Sequence, residues 1–187
     1  MSWDEQAATF DDEPDHGLRD PSVRAAWTAL LLPKLASPAR RLRIADLGCG
    51  TGSISALFAE AGHEVHGVDL SPQMLEIARA KATTADFRLG DAADPPLDAA
   101  AYDVVFARHV LWTLPPNALS TWIKLLRPAG LLLLVEGRWS TGAGLTADEC
   151  KTAVLGHRRQ ATIHPLTDPA LWGGPIDDER YLLVSEA

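Results

Sequence analysis

The sequence predicts an α/β fold built on a doubly wound, mostly parallel sheet. Five apolar, strand-like runs alternate with helical patterns between residues 43 and 136, and the turns between them are short. This alternation is typical of parallel strands whose two faces are both covered by helices. A glycine-rich turn follows the first run, and an acidic residue follows several others. Because ligands bind at the carboxyl ends of such strands, the sequence predicts a binding site at that edge.

The composition fits one globular domain of 187 residues, with 47% apolar and 22% charged residues. The net charge of −8 disfavours binding to phosphate backbones, so we expect no nucleic-acid partner. The two cysteines lack zinc-type spacing. No run approaches the roughly 18 apolar residues of a membrane span, and the first residues lack a signal-peptide core. We therefore expect a cytoplasmic protein without membrane association.

An acidic segment containing Trp3, Phe10 and His16 opens the chain. Its charge is typical of a solvated tail, whereas its aromatic residues favour a segment folded over a pocket. In the second case, we expect Phe10 and His16 to contact a substrate. The apolar spacing of residues 21–35 then predicts a helix, and Pro38 lies in the linker to the first strand.

The glycine-rich turn lies within residues 44–55, which read IADLGCGTGSIS. An acid, Asp46, precedes three glycines at alternate positions: Gly48, Gly50 and Gly52. Glycine tolerates positive φ, and the following helix presents its N-terminus to a ligand. A dinucleotide-binding fingerprint would need a glycine at position 53, where this chain has Ser53. Cys49 lies inside the turn, where a small residue packs well, and a structural role is the simplest interpretation.

Residues 65–70 predict a second buried strand, at the end of which Asp69 lies. Ser71 and Pro72 then indicate the start of a helix over residues 72–83. The strand follows the glycine turn by one helix, so we expect Asp69 beside that turn, where a carboxylate accepts hydrogen bonds from ribose hydroxyls. Alternatively, Asp69 only caps the helix, but Ser71 already occupies the capping position.

The rest of the chain continues the same pattern. Further strands are expected at residues 87–89, 102–107 and 131–135, with helices at 119–126 and 147–155 and closing strands at 158–163 and 180–184. The carboxyl ends of the parallel strands place Asp91, residues 108–112 and residues 136–139 next to the glycine turn. These convergent ends are the main sequence evidence for a functional site.

Four stretches, DLGCGTG, GVDLSPQML, GDAADPP and LLRPAGLLLLVEG, together resemble the motifs of class I S-adenosylmethionine (SAM)-dependent methyltransferases. The resemblance is to the small-molecule, methyltransferase domain 11-like group. It implies a Rossmann-like, seven-stranded, mostly parallel sheet with an antiparallel last strand. It also implies one domain over residues 1–187, with an N-terminal lid and helix (1–36), a SAM-binding core (40–137) and closing strands (138–187).

The resemblance further implies that SAM is the cofactor and S-adenosylhomocysteine the product. The glycine turn and Asp46 would hold the methionine end, and Asp69 would hold the ribose. Arg108 and His109 would face the sulfonium and the acceptor. The adenine would lie between Leu70 and Met74, with Asp91 and Ala92 at its edge. The full expected cofactor set is Asp46, Gly48, Cys49, Gly50, Gly52, Asp69, Leu70, Met74, Asp91, Ala92 and Arg108.

The expected reaction transfers the methyl group in line to an O, N or S atom of a small-molecule acceptor. His109 is the candidate general base, since imidazole titrates near neutral pH; alternatively it shapes the pocket. Trp112, Trp139 and Trp172 are candidates either for an acceptor pocket or for the core. The other histidines show no metal-ligand spacing, so we expect no metal site.

Two other functions are compatible with the sequence. An NAD-binding oxidoreductase also has a glycine turn and an acid on the second strand, but its glycine spacing differs. A protein that binds SAM without transferring its methyl group would carry the same motifs. The sequence does not identify the acceptor, and we expect either a monomer or a homodimer.

Overall fold

The sheet at the centre of the molecule has seven strands. A computed structural model describes residues 3–35 and 40–186, so Pro38 lies outside the described residues. The strands are β1 (Arg43–Leu47), β2 (Glu64–Asp69), β3 (Asp86–Leu89), β4 (Tyr102–Arg108), β5 (Leu126–Arg138), β6 (Thr162–Pro165) and β7 (Glu179–Ser185). The helices are α1 (Trp3–Phe10), α2 (Pro14–Gly17), α3 (Pro21–Leu31), α4 (Ser53–Glu60), α5 (Pro72–Lys81), α6 (Ala118–Leu125) and α7 (Ala147–Leu155).

The strand order is β3-β2-β1-β4-β5-β7-β6, with β1 to β5 parallel and β7 antiparallel to both of its neighbours. The order reverses between β1 and β4, where Asp46 lies opposite Phe106. This arrangement confirms the expected doubly wound, seven-stranded sheet with an antiparallel last strand. It also places the switch point, where ligands bind in such sheets, directly beside the glycine turn.

Alternate residues of β5 pack into two separate cores, one on each face of the sheet. Leu133 and Val135 contact the cluster that contains Trp27 of α3, whereas Leu132 and Leu134 contact the cluster that contains Trp122 of α6. Because successive side chains of a strand point to opposite faces, a strand buried on both sides must be apolar throughout. Among the described residues, no helix is long and apolar enough to cross a membrane.

Several element boundaries differ from the sequence prediction. The helix expected over 21–35 ends at Leu31 and continues as a short 3-10 turn, Leu32–Lys34, because Pro33 lacks the N–H that an α-helix needs. The closing strand expected at 158–163 begins at Thr162 instead, since the Arg158 backbone N–H donates to the Val154 carbonyl oxygen in the turn that ends α7. Helices α1 and α2 were not predicted individually.

Candidate active site

A cavity of about 510 Å³ opens at the carboxyl ends of β1, β2 and β4. Most of the residues expected at the site line it: Asp46, Gly48, Cys49, Gly50, Asp69, Leu70, Met74, Ala92, Arg108, His109, Phe10, His16, Trp112 and Trp139. Gly52 and Asp91 are not part of this lining. The switch point of the sheet thus brings together residues from six separate stretches of the chain.

The glycine turn adopts a backbone shape that other residues rarely take. Gly48 has φ +68°, and a Cβ there would lie 2.4 Å from Val110 Cγ2. Gly52 has φ +74°, and a Cβ there would lie 2.8 Å from the Ala78 Cβ of α5. Gly52 therefore serves the packing of α4 against α5, while Gly48 and Gly50 expose backbone to the cavity.

Asp69 connects the end of β2 to the glycine turn. Its Oδ2 accepts a hydrogen bond of 2.8 Å from the Gly50 N–H, and its Oδ1 accepts one of 2.9 Å from the Ser71 N–H. Burial raises the pKa of this carboxyl, although these backbone hydrogen bonds oppose the shift. Each carboxylate oxygen can accept a second hydrogen bond, and Asp69 lines the cavity, so this side chain suits a ribose diol. Ser71 caps α5 through Met74 N, as expected.

Asp46 lies deeper, at the end of β1. It is 3% exposed, and its Oδ2 accepts a 2.5 Å hydrogen bond from Ser55 Oγ. Burial raises the pKa of Asp46 to about 6, whereas the Ser55 hydroxyl and the nearby Arg108 charge lower it. A cation that enters the cavity would favour the ionised carboxylate.

The two residues expected at the adenine edge are separated by the structure. Ala92 lines the cavity, and its carbonyl oxygen accepts a 2.6 Å hydrogen bond from Trp122 Nε1. Asp91 is exposed, and its Oδ1 accepts a 2.8 Å hydrogen bond from Ala93 N, which stabilises the turn after β3. Leu70 and Met74 line the opposite wall.

The N-terminal segment, comprising α1 and α2, forms one wall of the cavity. Asp4 accepts hydrogen bonds from Ser71 Oγ and Gln73 N at the start of α5. Asp11, which is 7% exposed, accepts a 2.5 Å hydrogen bond from Thr51 Oγ1 and forms a 2.7 Å ion pair with Lys81 Nζ. This segment is therefore attached directly to the glycine turn and α5 by buried polar contacts.

Arg108 and His109, at the end of β4, lie between the glycine turn and the N-terminal segment. Arg108 donates a hydrogen bond to the Asp15 carbonyl oxygen, and its guanidinium lies 5.1 Å from the Trp27 ring centroid. Burial, and then the Arg108 charge, hold the pKa of His109 well below its usual value. Its imidazole is therefore neutral near pH 7, and its buried Nε2 has no hydrogen-bond partner among the described residues.

The backbone of His109 is held in an unusual conformation, with φ +59°. Glu136, at the end of β5, accepts hydrogen bonds from Val110 N at 3.0 Å and Leu111 N at 2.7 Å. Burial raises the pKa of Glu136 to about 8. Glu136 thus fixes the loop that presents His109, and strained residues of this kind cluster at functional sites.

Aromatic side chains form the end of the cavity beyond His109. Trp139 packs edge-on against His109 at 5.2 Å between ring centroids, and Trp112 lies 5.3 Å from Trp139. Trp172 does not line the cavity; it is 8% exposed and packs against Trp27 in the core. Arg180 lies over Trp139 and Trp172 and forms a 3.0 Å ion pair with Asp178.

Comparison with known proteins points to methyltransferases, as the motifs do. A methyltransferase domain family matches residues 45–134. A malonyl-[acyl-carrier protein] O-methyltransferase from Serratia marcescens is 35% identical over 137 residues, which cover 63% of this chain and 54% of the relative. A trans-aconitate 2-methyltransferase from Methylobacterium radiotolerans is 44% identical over 113 residues, which cover 58% of this chain and 43% of the relative. The chain thus spans about half the length of these relatives.

The chain is also similar to a solved structure, the geranyl diphosphate C-methyltransferase from Streptomyces coelicolor A3(2) in complex with Mg²⁺, geranyl-S-thiolodiphosphate and S-adenosyl-L-homocysteine. The TM-score is 0.69 at 17% identity, over 87% of this chain and 75% of that structure, which shows a common fold. The motifs, the family match over residues 45–134 and the shared fold together support a class I SAM-dependent methyltransferase.

SAM is the cofactor of this methyltransferase domain, and the cavity residues fit it. The Gly48 to Gly50 backbone and the buried Asp46 suit the amino-acid end, and the Asp69 carboxylate suits a ribose diol. Which SAM atoms each of these residues contacts stays a prediction.

The cavity also contains residues that the sequence analysis did not assign to the site. The N-terminal segment and the loop after β4 contribute the following side chains: Trp3, Gln6, Thr9, Glu13, Val110, Thr113 and Leu114. The spacing of Trp3, Ala7 and Phe10 matches one face of a helix and indicates α1, although nothing in that spacing shows where the helix docks.

Proposed function

We propose that this protein transfers the methyl group of SAM to an O, N or S atom of a small-molecule acceptor. One observation carries the proposal. A single cavity runs from the residues of the SAM motifs, such as Gly50 and Asp69, to the aromatic side chains of Trp112 and Trp139. An acceptor bound between those tryptophans would therefore share the cavity with the cofactor, as in-line displacement requires.

SAM supplies a methyl group on a sulfonium, which is an excellent leaving group, so the protein must mainly orient the acceptor and exclude water. The N-terminal segment covers the cavity with Phe10 and His16, whose rings stack at 4.3 Å between centroids. The tryptophans offer flat apolar surface to an acceptor. Arg108 adds a buried positive charge to the cavity, between the glycine turn and the N-terminal segment.

His109 is the proposed acceptor contact. Its neutral ring retains an unpartnered nitrogen, which can accept a hydrogen bond from an acceptor O–H or N–H. An efficient general base has a pKa near the working pH, and burial lowers the pKa of His109 well below that. Its environment therefore suits orienting the acceptor better than storing the acceptor's proton.

The activity test is incubation of the purified protein with methyl-labelled SAM and a panel of phenols, amines, thiols and carboxylates. We expect label in one class of acceptor, together with an equal amount of S-adenosylhomocysteine. Asp69→Ala is the matched control, since it should lower turnover at SAM concentrations that just saturate the wild type. SAM binding without label transfer to any class would favour a non-catalytic SAM-binding protein.

A calorimetric titration with SAM and with NAD tests the cofactor assignment separately. We expect one equivalent of SAM to bind and NAD to give no heat of binding. The glycine spacing and Ser53 both disfavour a dinucleotide. Tight NAD binding would therefore overturn the proposal. The cytoplasmic location, and the choice between monomer and homodimer, remain predictions from the sequence.

A further inference from the structure

Two half-buried histidines of the cavity lining, His16 and His109, lie close to each other and to the Asp15 carboxylate, although His109 is far from the other two in the sequence. Asp15 and His16 belong to α2, and His109 follows β4. One carboxylate oxygen and one ring nitrogen from each histidine all lie within 4.8 Å of one another. No metal-ligand spacing predicts this cluster, because the docking of the N-terminal segment onto the end of β4 creates it.

Both imidazole rings have a ligand atom to spare. Among the described residues, His16 Nδ1 and His109 Nε2 are buried without a hydrogen-bond partner. A buried unpartnered polar atom is costly, and an unseen water or ion is a common explanation for one. A ring nitrogen without a hydrogen-bond partner can carry the lone pair that a metal ion needs.

Charged groups of both signs surround the two histidines. Arg108 acts on both of them, and Arg180 is a second positive group near His109. Asp15 and Glu13 are the negative groups near His16, and Glu13 lines the same cavity. The Asp15 carboxylate therefore supplies the negative charge of the candidate site and partly offsets the Arg108 guanidinium.

We propose that Asp15, His16 and His109 bind a divalent first-row transition metal ion, of which Zn²⁺ is the probe we would use. Two imidazoles and one carboxylate form a known ligand set for zinc and for non-haem iron, and such sites keep open positions. His16 and His109 line the cavity, so a metal ion held there would offer an open position to an acceptor oxygen or nitrogen. Mg²⁺ is disfavoured, because it prefers oxygen ligands.

The metal and the direct acceptor contact would use the same free nitrogen of His109. The metal titration therefore also decides how His109 acts: as a ligand when the ion is bound, or as a hydrogen-bond acceptor without it. Metal binding does not rest on the proposed methyl transfer. It is measured without SAM and without an acceptor, so a failure of either proposal is distinguishable from a failure of the other.

The test is calorimetric titration of untagged, chelator-treated full-length protein with Zn²⁺, and in parallel with Mg²⁺. We expect one equivalent of Zn²⁺ to bind and Mg²⁺ not to compete. Asp15→Asn and His16→Ala should each weaken Zn²⁺ binding at least about tenfold. His164→Ala is the matched control, since His164 lies on β6 and does not line the cavity.

Co²⁺ provides a second readout, because its visible absorption bands report nitrogen and oxygen coordination. We expect these bands in the wild type and in His164→Ala, and their loss in His109→Ala. Thermal unfolding and SAM titration show whether each variant is folded, and the near-isosteric Asp15→Asn keeps the test valid if His16→Ala is unstable. Absent Zn²⁺ binding to the wild type, or equal binding by all folded variants, would overturn the proposal.

Discussion

Asp69 connects two motifs that are separate in the sequence. Its two carboxylate oxygens accept hydrogen bonds from the Gly50 and Ser71 backbones, so the same side chain shapes the glycine turn and starts α5. These contacts hold the carboxylate at the cavity in a fixed orientation. Preorganisation of this kind lowers the cost of binding a ligand.

The first prediction concerns this side chain. Asp69→Ala should weaken SAM binding by about 1–3 kcal/mol, because the ribose hydroxyls would lose their acceptor. Calorimetric titration with SAM measures the effect. Asp91→Ala is the comparison variant, since Asp91 lies at the end of the neighbouring strand but outside the cavity lining. Equal affinity of Asp69→Ala and the wild type would refute the ribose assignment.

Glu136 gives a second prediction, on pH dependence. Its folded-state pKa of about 8 lies above the value of 4.5 for an unperturbed glutamate, because burial disfavours the charged form. The folded state therefore binds this proton more tightly than the unfolded state. The contribution of Glu136 to stability is complete below about pH 4.5 and is lost as the pH rises to about 8.

Glu136→Gln should remove that loss, since a glutamine keeps an acceptor oxygen for the Val110 and Leu111 N–H groups but cannot ionise. Relative to the wild type, the variant should gain about 3 kcal/mol of unfolding free energy between pH 5 and pH 8. Urea denaturation at several pH values measures this. Glu76→Gln, on the exposed face of α5, should follow the wild-type curve. If the unfolding free energy of Glu136→Gln fell with pH in parallel with that of the wild type, the prediction would be contradicted.

At the scale of elements, the docking of the N-terminal segment depends on a buried polar cluster. Lys81 Nζ of α5 contacts Asp11 Oδ2 at 2.7 Å, Ser53 Oγ at 2.7 Å and Thr51 Oγ1 at 3.1 Å. One ammonium group therefore joins the N-terminal segment, the glycine turn and α5. Removing one partner of a buried ion pair leaves an uncompensated charge, which costs more than the pair itself contributes.

Lys81→Met should therefore destabilise the protein by about 3 kcal/mol and increase protease cleavage within residues 3–17. Denaturant titration and limited proteolysis followed by mass spectrometry measure the two effects. Glu60→Gln is the control, because it breaks the Arg24–Glu60 pair, in which Glu60 is 66% exposed. Exposed pairs contribute at most about 1 kcal/mol. If both variants were equally stable, the N-terminal segment would not depend on Lys81.

At the scale of the whole molecule, the cavity is bounded by elements from both halves of the chain. The carboxyl ends of β1, β2 and β4 form its floor, and α1 and α2 form a wall. A ligand bound there contacts residues that are far apart in the sequence. Such a ligand stabilises the folded state only, because the unfolded chain has no equivalent site.

Saturation with SAM, at about 100 times its dissociation constant, should therefore add about 2.7 kcal/mol to the free energy of unfolding. For a domain of this size, the midpoint of thermal unfolding should rise by roughly 5–10 °C. Differential scanning calorimetry with and without SAM measures the shift. Asp69→Ala at the same SAM concentration should show a smaller rise, and an unshifted wild-type midpoint would contradict SAM binding to the folded protein.

The sequence by itself determined the sheet and the cofactor. Apolar runs that are buried on both faces cannot be anything but central strands, and the acids at their ends are brought to one edge by parallel topology. The sequence therefore predicts Asp46, Asp69, Gly48 and Gly50 at the switch point, and all four line the cavity; their contacts with SAM stay a prediction. Local patterns carry this information, because each strand, turn and helix start is specified by neighbouring residues.

Only the tertiary structure shows which side chains lie around His109, at the end of the cavity where we propose that the acceptor binds. The meeting of His16 with His109, the separation of Asp91 from the cavity and the burial of Trp172 in the core depend on how the N-terminal segment and the loops pack. No short-range pattern encodes those contacts, since their partners lie on elements that are distant in the chain. The part of the cavity around His16 and His109 thus depends on the docking of distant elements, whereas the part around the glycine turn depends on local sequence.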